Sequence, residues 1–461
     1  MADLTIPDGS RFLQGPFAPV TEEITAVDLP VTGRLPTELS GRYLRNGPNP
    51  LGLDEPVQHW FLGPGMVHGV RLRDGRAEWY RNRWVRSGQV AEALGEAWPS
   101  GPVHAGMDFA ANTHILAHAG RLLATVEAGP LPYQLTDELD TVGPCDFDGT
   151  LPGGYAAHAK LDRRTGDLHA VAYFWGWDHV QHVVVGADGR VSDATDVPVA
   201  DGPMMHDFAL TERYVVLFDL PVTFSMDAAA AGAQLPYAWN PAHPPRVGLL
   251  PREGSDREVR WFPVDPCWVF HTLNAYDDGD RVVVDLCRYE GVYDMSSLTG
   301  QGPLTLDRWV VDPASGTVAR QCLDDRQQEF PRIDDRLLSR PHRYGYSAAF
   351  GPLNPDAVRP SGQVADEAFA HAVLKHDLAA GTVQAHDFGP DAAAAGEAVF
   401  APASAAAAED DGYVMTFVHD PERGATDLVI LAAQDFTAPP VARVHLPVRV
   451  PLGFHGSWLA D

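Results

Sequence analysis

Eight segments of this chain share one plan: an apolar strand-like run, a tight turn of the DG, TG, DDGD or SG kind, and a second run. They are 66–85, 113–127, 157–175, 183–199, 273–289, 306–323, 372–388 and 411–436. Val, Leu, Tyr and Trp fill the runs, and Gly, Asp and Pro punctuate them, which is the composition of antiparallel hairpins. Hairpins returning about every 40–50 residues are the pattern of β-propeller blades. No signature dipeptide recurs at a fixed period, so the repeat is one of structure and not of letters. Helical signals are confined to two alanine-rich stretches, Asp227–Gln234 and Ser404–Asp410. No stretch is long or polar enough to mark a domain boundary. The expectation is an all-β fold, a single β-propeller domain over residues 1–461, with residues 1–40 as an N-terminal extension packed on it.

The charge balance narrows the partners. Sixty-two acidic against 34 basic residues leave a formal charge of −28, the wrong sign for nucleic acid or an anionic bilayer. Cys145, Cys267, Cys287 and Cys322 lie far apart with no CxxC pair, so they read as buried thiols and not as a zinc ribbon or a disulfide scaffold. The amino terminus lacks the basic and apolar regions of a signal peptide, and no run of about 18 apolar residues is present to span a bilayer. A cytoplasmic location is therefore expected.

Among 19 histidines, four share a setting at the edge of an apolar or aromatic run: His158 (AAHAK), His206 (MMHDF), His271 (VFHTLNA) and His455 (GFHGSW). Their separations of 48, 65 and 184 residues place them on different blades. Histidines from separate blades converge only near the propeller axis, where several buried ring nitrogens need partners. A divalent metal supplies them, and imidazole suits zinc, copper, iron or nickel. Each of the four also reads as an ordinary hydrogen-bonded core histidine. His104, His243, His342, His371, His376 and His386 read as solvated or structural. His179 and His182 form an H-x-x-H in strand-like surroundings and are a rival pair.

Metal-bound imidazoles usually donate their second N–H to a carboxylate, so acids in similarly apolar settings are of interest. Glu127 in LLATVEAGPLP, Glu329 in QQEFPRID and Glu397 in GEAVFAP meet that description.

These residues carry a resemblance. GRYLRNGPNP, HWFLGPGMVH, ANTHIL, AHAKLD, MHDFALT, VFHTLNA, EFPRID and FHGSW occur in the order and spacing of the carotenoid cleavage oxygenase family. That family includes carotenoid and apocarotenoid dioxygenases, a retinoid isomerase, and stilbene- and phenylpropenoid-cleaving enzymes. The resemblance runs from about Gly41 to the last residue. It implies a seven-bladed propeller with a cap of loops and short helices over one face. It also implies an axial Fe(II) held by His158, His206, His271 and His455, with Glu127, Glu329 and Glu397 orienting three of those ligands. Thr113 of ANTHIL matches the residue that family members place beside an open coordination position. The activity implied is cleavage of a conjugated C=C bond by O₂ into two carbonyl products, with no external reductant or organic cofactor.

Two departures from the family pattern bear on these expectations. Leu62 and Pro64 stand where relatives commonly carry aspartates, which touches the local turn but no ligand. Val126, directly before Glu127, stands where stilbene- and isoeugenol-cleaving relatives carry a lysine that engages a phenolic oxygen. An apolar Val126 points to a carotenoid or apocarotenoid substrate, with resveratrol- or isoeugenol-like aryl alkenes as the alternative. Phe109, Trp175, Phe224, Trp268 and Phe270 are candidate tunnel aromatics. The segment 224–245, with Met226, Leu235, Tyr237 and Trp239, is a candidate for weak peripheral contact with a membrane, its lack of basic residues allowing no more than that. Two other classes stand beside the oxygenase: a metal-free binding propeller and a calcium-dependent propeller hydrolase. The second wants carboxylate and asparagine ligands where this chain offers histidines.

Overall fold

In the computed structural model, which describes residues 11–13, 15–51, 59–254, 257–349, 372–389, 396–420 and 422–461, every one of the eight hairpins pairs antiparallel as expected. Among the described residues they assemble, with further strands, into seven sheets of four or five strands arranged as a propeller. Blade 1 is built on Gly41–Pro48, Gly65–Arg73 and Arg76–Trp84, and blade 2 on His114–His118, Arg121–Thr125, Tyr133–Leu135 and Thr141–Pro144. Blade 3 runs Lys160–Asp162, Asp167–Ala172, His179–Val185, Val191–Pro198, and blade 4 runs Ala209–Leu210, Tyr214–Asp219, Arg246–Pro251, Arg260–Pro263. Blade 5 spans Cys267–Trp268 through Thr317–Asp324, blade 6 spans Gln328–Arg332 through Thr382–Asp387, and blade 7 spans Val399–Pro402 through Ala442–His445.

Two strands close the ring, one from each end of the chain. The last strand, Gly456–Ala460, pairs with Gly41–Pro48 in blade 1, with Gly41 opposite Ala460 and Arg45 opposite Gly456. The early strand Val31–Gly33 crosses to blade 7, where Val31 lies opposite Val444, while Thr25–Val27 adds the outer edge of blade 1. The closing strand is further anchored through Asp461, which bonds the Ser40 hydroxyl at 2.7 Å and the Arg71 guanidinium at 2.6 Å. Because residues 25–33 supply sheet edges to two blades, this stretch is part of the propeller walls.

The apolar core lies between neighbouring blades, as flat twisted sheets packed face to face require. At the closing seam, Tyr43, Val70 and Tyr80 of blade 1 pack on Met415, Phe417 and Ile430 of blade 7, with the Tyr43 and Phe417 rings edge to face at 4.9 Å. A larger cluster joins blades 3 to 5.

Blade 4 shows no tight hairpin in the sequence for a physical reason. Its second and third strands are separated by an insertion, residues 220–245, which folds as a small hairpin of its own, Val222–Phe224 against Tyr237–Trp239. Between those two strands lies the short helix Met226–Ala230, started by the Ser225 side chain accepting from the Ala228 N–H at 3.1 Å. The alanine-rich stretch Ser404–Asp410 is not helical; it forms turns that link two strands of blade 7, the link being too short to complete a helix. A helix the sequence did not announce spans Gly88–Leu94 and ends on Gly95 in the left-handed conformation. Cys145, Cys267 and Cys287 are buried thiols, whereas Cys322, on the outer strand of blade 5, is exposed. No helix among the described residues is long and apolar enough to cross a membrane.

Ring closure makes a specific demand at Gly41. A Cβ there would overlap the Leu459 carbonyl oxygen and sit 2.8 Å from the Trp458 ring. Gly41→Val is expected to destabilise the protein by about 1–3 kcal/mol, the usual cost of overpacking. Chemical denaturation of the variant beside the parent protein checks this.

Candidate metal centre

Seven residues within three positions of the start of a blade's first, inner or closing strand gather around one centre. Thr113 precedes the inner strand of blade 2, His158 that of blade 3, His206 that of blade 4 and His271 the longer inner strand of blade 5. Glu329 lies in the first strand of blade 6, Glu397 just before that of blade 7, and His455 directly before the closing strand of blade 1. Each blade therefore contributes one residue, and Glu127 is added from the end of Arg121–Thr125 in blade 2.

The four histidines meet. Ring centroids of His158 lie 4.5 Å from His206, 5.1 Å from His271 and 4.6 Å from His455, and His271 lies 4.9 Å from His206 and 4.7 Å from His455. All four are buried. His206 Nε2 faces His271 Nε2 at 3.1 Å. One nitrogen from each of His158, His271 and His455 fits within a 4.8 Å cluster, as does the set Glu127, His158 and His206.

Behind three of the rings stand the three glutamates. Glu329 Oε2 accepts from His271 Nδ1 at 2.5 Å, and Glu397 Oε1 accepts from His455 Nδ1 at 2.9 Å. Glu127 Oε1 lies 2.5 Å from His206 Nδ1, close but without hydrogen-bond alignment, and 3.5 Å from His158 Nε2. His158 is the ring without a carboxylate of its own. The carboxylates are themselves held. Tyr173 donates to Glu127 Oε2 at 2.8 Å, the Phe330 N–H donates to Glu329 at 2.7 Å, and Glu397 Oε2 takes the Gly456 N–H at 2.8 Å and Arg332 at 2.9 Å. Ala128 and Phe330, each directly after one of these glutamates, adopt positive φ of 60° and 54°. Backbone strain of this kind persists only where surrounding structure enforces it.

Electrostatics agree with this arrangement. Burial, reinforced by neighbouring imidazoles, pushes His158 and His455 well below the ordinary histidine value, so both present neutral lone pairs. Burial also lowers His271, but the adjacent Glu329 carboxylate overrides it and raises that ring. Burial raises Glu127, yet His206 and His158 outweigh it and hold the carboxyl well below its usual range. With three Nδ1 atoms turned to carboxylates, opposed Nε2 atoms and no aligned partner for His158 Nε2, a cation among the rings is the partner that satisfies this donor set.

Above the cluster opens a cavity of about 520 Å³. Its walls are mainly aromatic and aliphatic, among them Phe61, Phe270, Phe330 and Phe454, and it reaches Glu127, Thr113, His206, His271 and His455. Thr113 is buried there; its hydroxyl donates to Asn112 at 3.0 Å and its carbonyl accepts the His455 N–H at 3.0 Å. Val126 lines the wall. Phe109, Trp175, Phe224 and Phe270 line the cavity as expected, but Trp268 does not: it is a core residue whose ring packs edge-on against Phe270 at 5.4 Å. Leu62 ends a short 3₁₀ helix, Trp60–Leu62, in which the His59 ring accepts the Phe61 N–H at 3.2 Å, so the loop is ordered without the aspartates of relatives.

The insertion 220–245 forms part of the cavity mouth. Met226 is 70% exposed, but the hairpin turns Tyr237 inward until it is buried, and Leu235 faces the cavity. The four apolar residues of that segment are thus not one outward face.

Five further histidines are held in the body of the protein. His243 lies between Asp219 at 2.7 Å and Asp201 at 2.9 Å, His386 bonds the Phe436 carbonyl, and His342 bonds Asn274. His376 approaches Ser347, and His104 packs on Phe174 and Trp177. None of these five is solvated in the open. His371 lies outside the described residues. The rival pair sits on His179–Val185, away from the axis; His182 faces His169 at 3.0 Å, and His179 contacts Asp178. Tyr173 and Arg332 carry no local sequence signal for these contacts. Arg332 follows Glu329 within EFPRID, and only the fold reveals that it serves Glu397 instead.

A seven-bladed propeller with these imidazoles beneath an apolar cavity defines a propeller enzyme with a candidate metal centre. Residues 17–460 match the family described as retinal pigment epithelial membrane protein, RPE65. A carotenoid cleavage oxygenase of Mycobacterium tuberculosis is 45% identical, with 97% of each chain covered. A carotenoid 9,10(9',10')-cleavage dioxygenase of Crocus sativus is 32% identical, with 98% of this chain and 89% of that one covered. The solved lignostilbene dioxygenase of Pseudomonas brassicacearum is similar with a TM-score of 0.87 at 30% identity, over 99% of this chain and 100% of that one. The chain belongs to the carotenoid cleavage oxygenase family and is an oxygen-incorporating enzyme of the dioxygenase type.

Glu397→Gln is expected to lower metal retention about 10- to 100-fold, the usual effect of removing a carboxylate behind a ligand. Metal content after dialysis against a graded chelator measures it, and an unchanged retention curve refutes this role for Glu397.

Proposed function

We propose that the protein is a non-haem Fe(II) dioxygenase that cleaves a conjugated C=C bond of a carotenoid or apocarotenoid with O₂, giving two carbonyl products. The observation that carries this reading is the convergence of His158, His206, His271 and His455, backed by Glu127, Glu329 and Glu397, at the floor of an apolar cavity. Ferrous iron held there supplies a redox-active site at which O₂ reacts with an electron-rich alkene.

The chain's own residues do the rest. Glu329 and Glu397 keep the Nδ1 protons of His271 and His455, which leaves Nε2 of each ring free for the metal. Tyr173 holds Glu127 in place beside His206. Phe61, Phe270, Phe330 and Phe454 exclude water and grip a long apolar chain, so that one double bond rests over the centre. Thr113 narrows the floor of the cavity on the His455 side. Val126 offers no charge to a phenolate, which favours a polyene over a hydroxystilbene. Cleavage of an aryl alkene to aromatic aldehydes is the second reading, favoured by the similarity to a lignostilbene dioxygenase. A polyene reaches the mouth from a membrane or an aggregate; Met226 and Trp175, 70% and 52% exposed, are the apolar residues there that touch such a surface weakly.

Anaerobic loading with Fe(II) is expected to give about one iron per chain, and alanine at any of the four histidines is expected to abolish turnover. Mass analysis of products formed under ¹⁸O₂ from carotenoids, apocarotenals, resveratrol and isoeugenol tests the substrate. Label in both products of a polyene supports the proposal; aromatic aldehydes as the sole products overturn it. In the same assay Val126→Lys is expected to move turnover from polyenes toward hydroxystilbenes.

A further inference from the structure

We propose that the Tyr237 hydroxyl anchors an oxygen function carried by the substrate, so that the cavity selects an oxygenated alkene over a pure hydrocarbon. This rests on the cavity being the alkene site, as proposed above, and adds which polar group the alkene must bear.

The polar atoms of the cavity wall make the case. Asn112 spends its amide on the Phe61 and Gly63 carbonyls, and Thr113 donates to Asn112. Tyr173 donates to Glu127, the Tyr289 phenol lies in the field of Glu329, and Gln234 and Tyr293 have partners of their own. Three further unpartnered atoms of the wall, Glu127 Oε1, His206 Nδ1 and Glu329 Oε1, belong to the centre itself; Tyr237 stands outside it, with its side chain buried against the cavity and its hydroxyl without a hydrogen-bond partner. Tyr43, Tyr155 and Tyr346 also bury unpartnered hydroxyls, but none of them lines this cavity. A buried hydroxyl without a partner is unfavourable, and the penalty is removed when a ligand supplies one.

The ring is held firmly enough to select. Tyr237 opens the strand Tyr237–Trp239, paired with Val222–Phe224, and its ring meets Phe224 at 5.9 Å and Tyr173 at 6.1 Å, both edge to face. Burial, with Glu127 nearby, raises the phenol well above its ordinary value, so it stays a donor across the working pH range. A neutral phenol donor suits a carbonyl, hydroxyl or ether oxygen. Through Tyr173, that oxygen is held on the Glu127 side of the centre. A site built to bond a substrate oxygen discriminates against the analogue that lacks it, because its own polar group is then left unpaired.

The test uses metal-free full-length protein, so that no turnover enters. Quenching of tryptophan fluorescence gives Kd for two matched pairs: an apocarotenal against the hydrocarbon of equal chain length, and resveratrol against unsubstituted stilbene. The parent protein is expected to favour the oxygenated member of the pair it binds by about tenfold, and Tyr237→Phe to bring that ratio to about one. Tyr155→Phe, which removes a buried hydroxyl away from the cavity, is expected to leave the ratio intact. A ratio near one in the parent, a preference that survives Tyr237→Phe, or an equal loss in Tyr155→Phe overturns the proposal. Which pair binds reports separately on the substrate class: binding of the stilbene pair alone, with the Tyr237 effect present, contradicts the polyene reading and supports the anchor. Binding of neither pair overturns both.

Discussion

Pairing of Gly456–Ala460 with Gly41–Pro48 closes the propeller, and the same pairing delivers His455 to the axis. Closure and site formation are thus one event. The ring is locked twice, since Val31–Gly33 joins blade 7 while the final strand joins blade 1. Backbone bonds continue directly from the seam into the centre: the His455 carbonyl accepts from Asn46, its N–H reaches Thr113, and the next residue's N–H is bonded by Glu397. A chain with its ends apart has three blades' worth of histidines but no fourth imidazole and no Glu397 partner. The proposed centre depends on a contact between residues more than 400 positions apart in the sequence.

The centre illustrates how a propeller turns repetition into chemistry. Each of the seven blades places one side chain, from near the start of a strand, at a common point. Four blades place imidazoles, two place carboxylates and one places Thr113, with Glu127 added from a second strand of that same blade. Burial removes water from His158 and His455 and favours their neutral forms, while the carboxylates behind His271 and His455 set which nitrogen turns inward. The positive φ at Ala128 and Phe330 is the local cost of aiming two of those carboxylates, offset by the packing around them.

Much of this was legible because the physical signals are local. Each hairpin turn announces itself in DG, TG or SG, and each axial histidine stands at the edge of an apolar run. The three glutamates stood out because acids flanked by aliphatic residues, Phe and Pro are uncommon at a surface. What stayed hidden is long-range. Blade 4 carries no tight-turn signal because an insertion separates its middle strands. Trp268 read as a tunnel residue because apolar composition is the same for core and lining. Tyr237 and Leu235 read as an outward face, although the small hairpin they belong to turns them inward. Tyr173 and Arg332 carried no signal, since their partners come from other blades.

The sequence by itself carries most of the strands and their turns, the resemblance to the family and the eight candidate residues of the centre, because turn chemistry, apolar periodicity and residue type are written position by position. Only the tertiary structure decided which glutamate backs which histidine, that His158 has none, where Val126 and Tyr237 face, and how the chain ends lock the ring. Those are properties of distance between segments far apart in the chain, and distance arises from packing blades around an axis, which no local run of residues encodes.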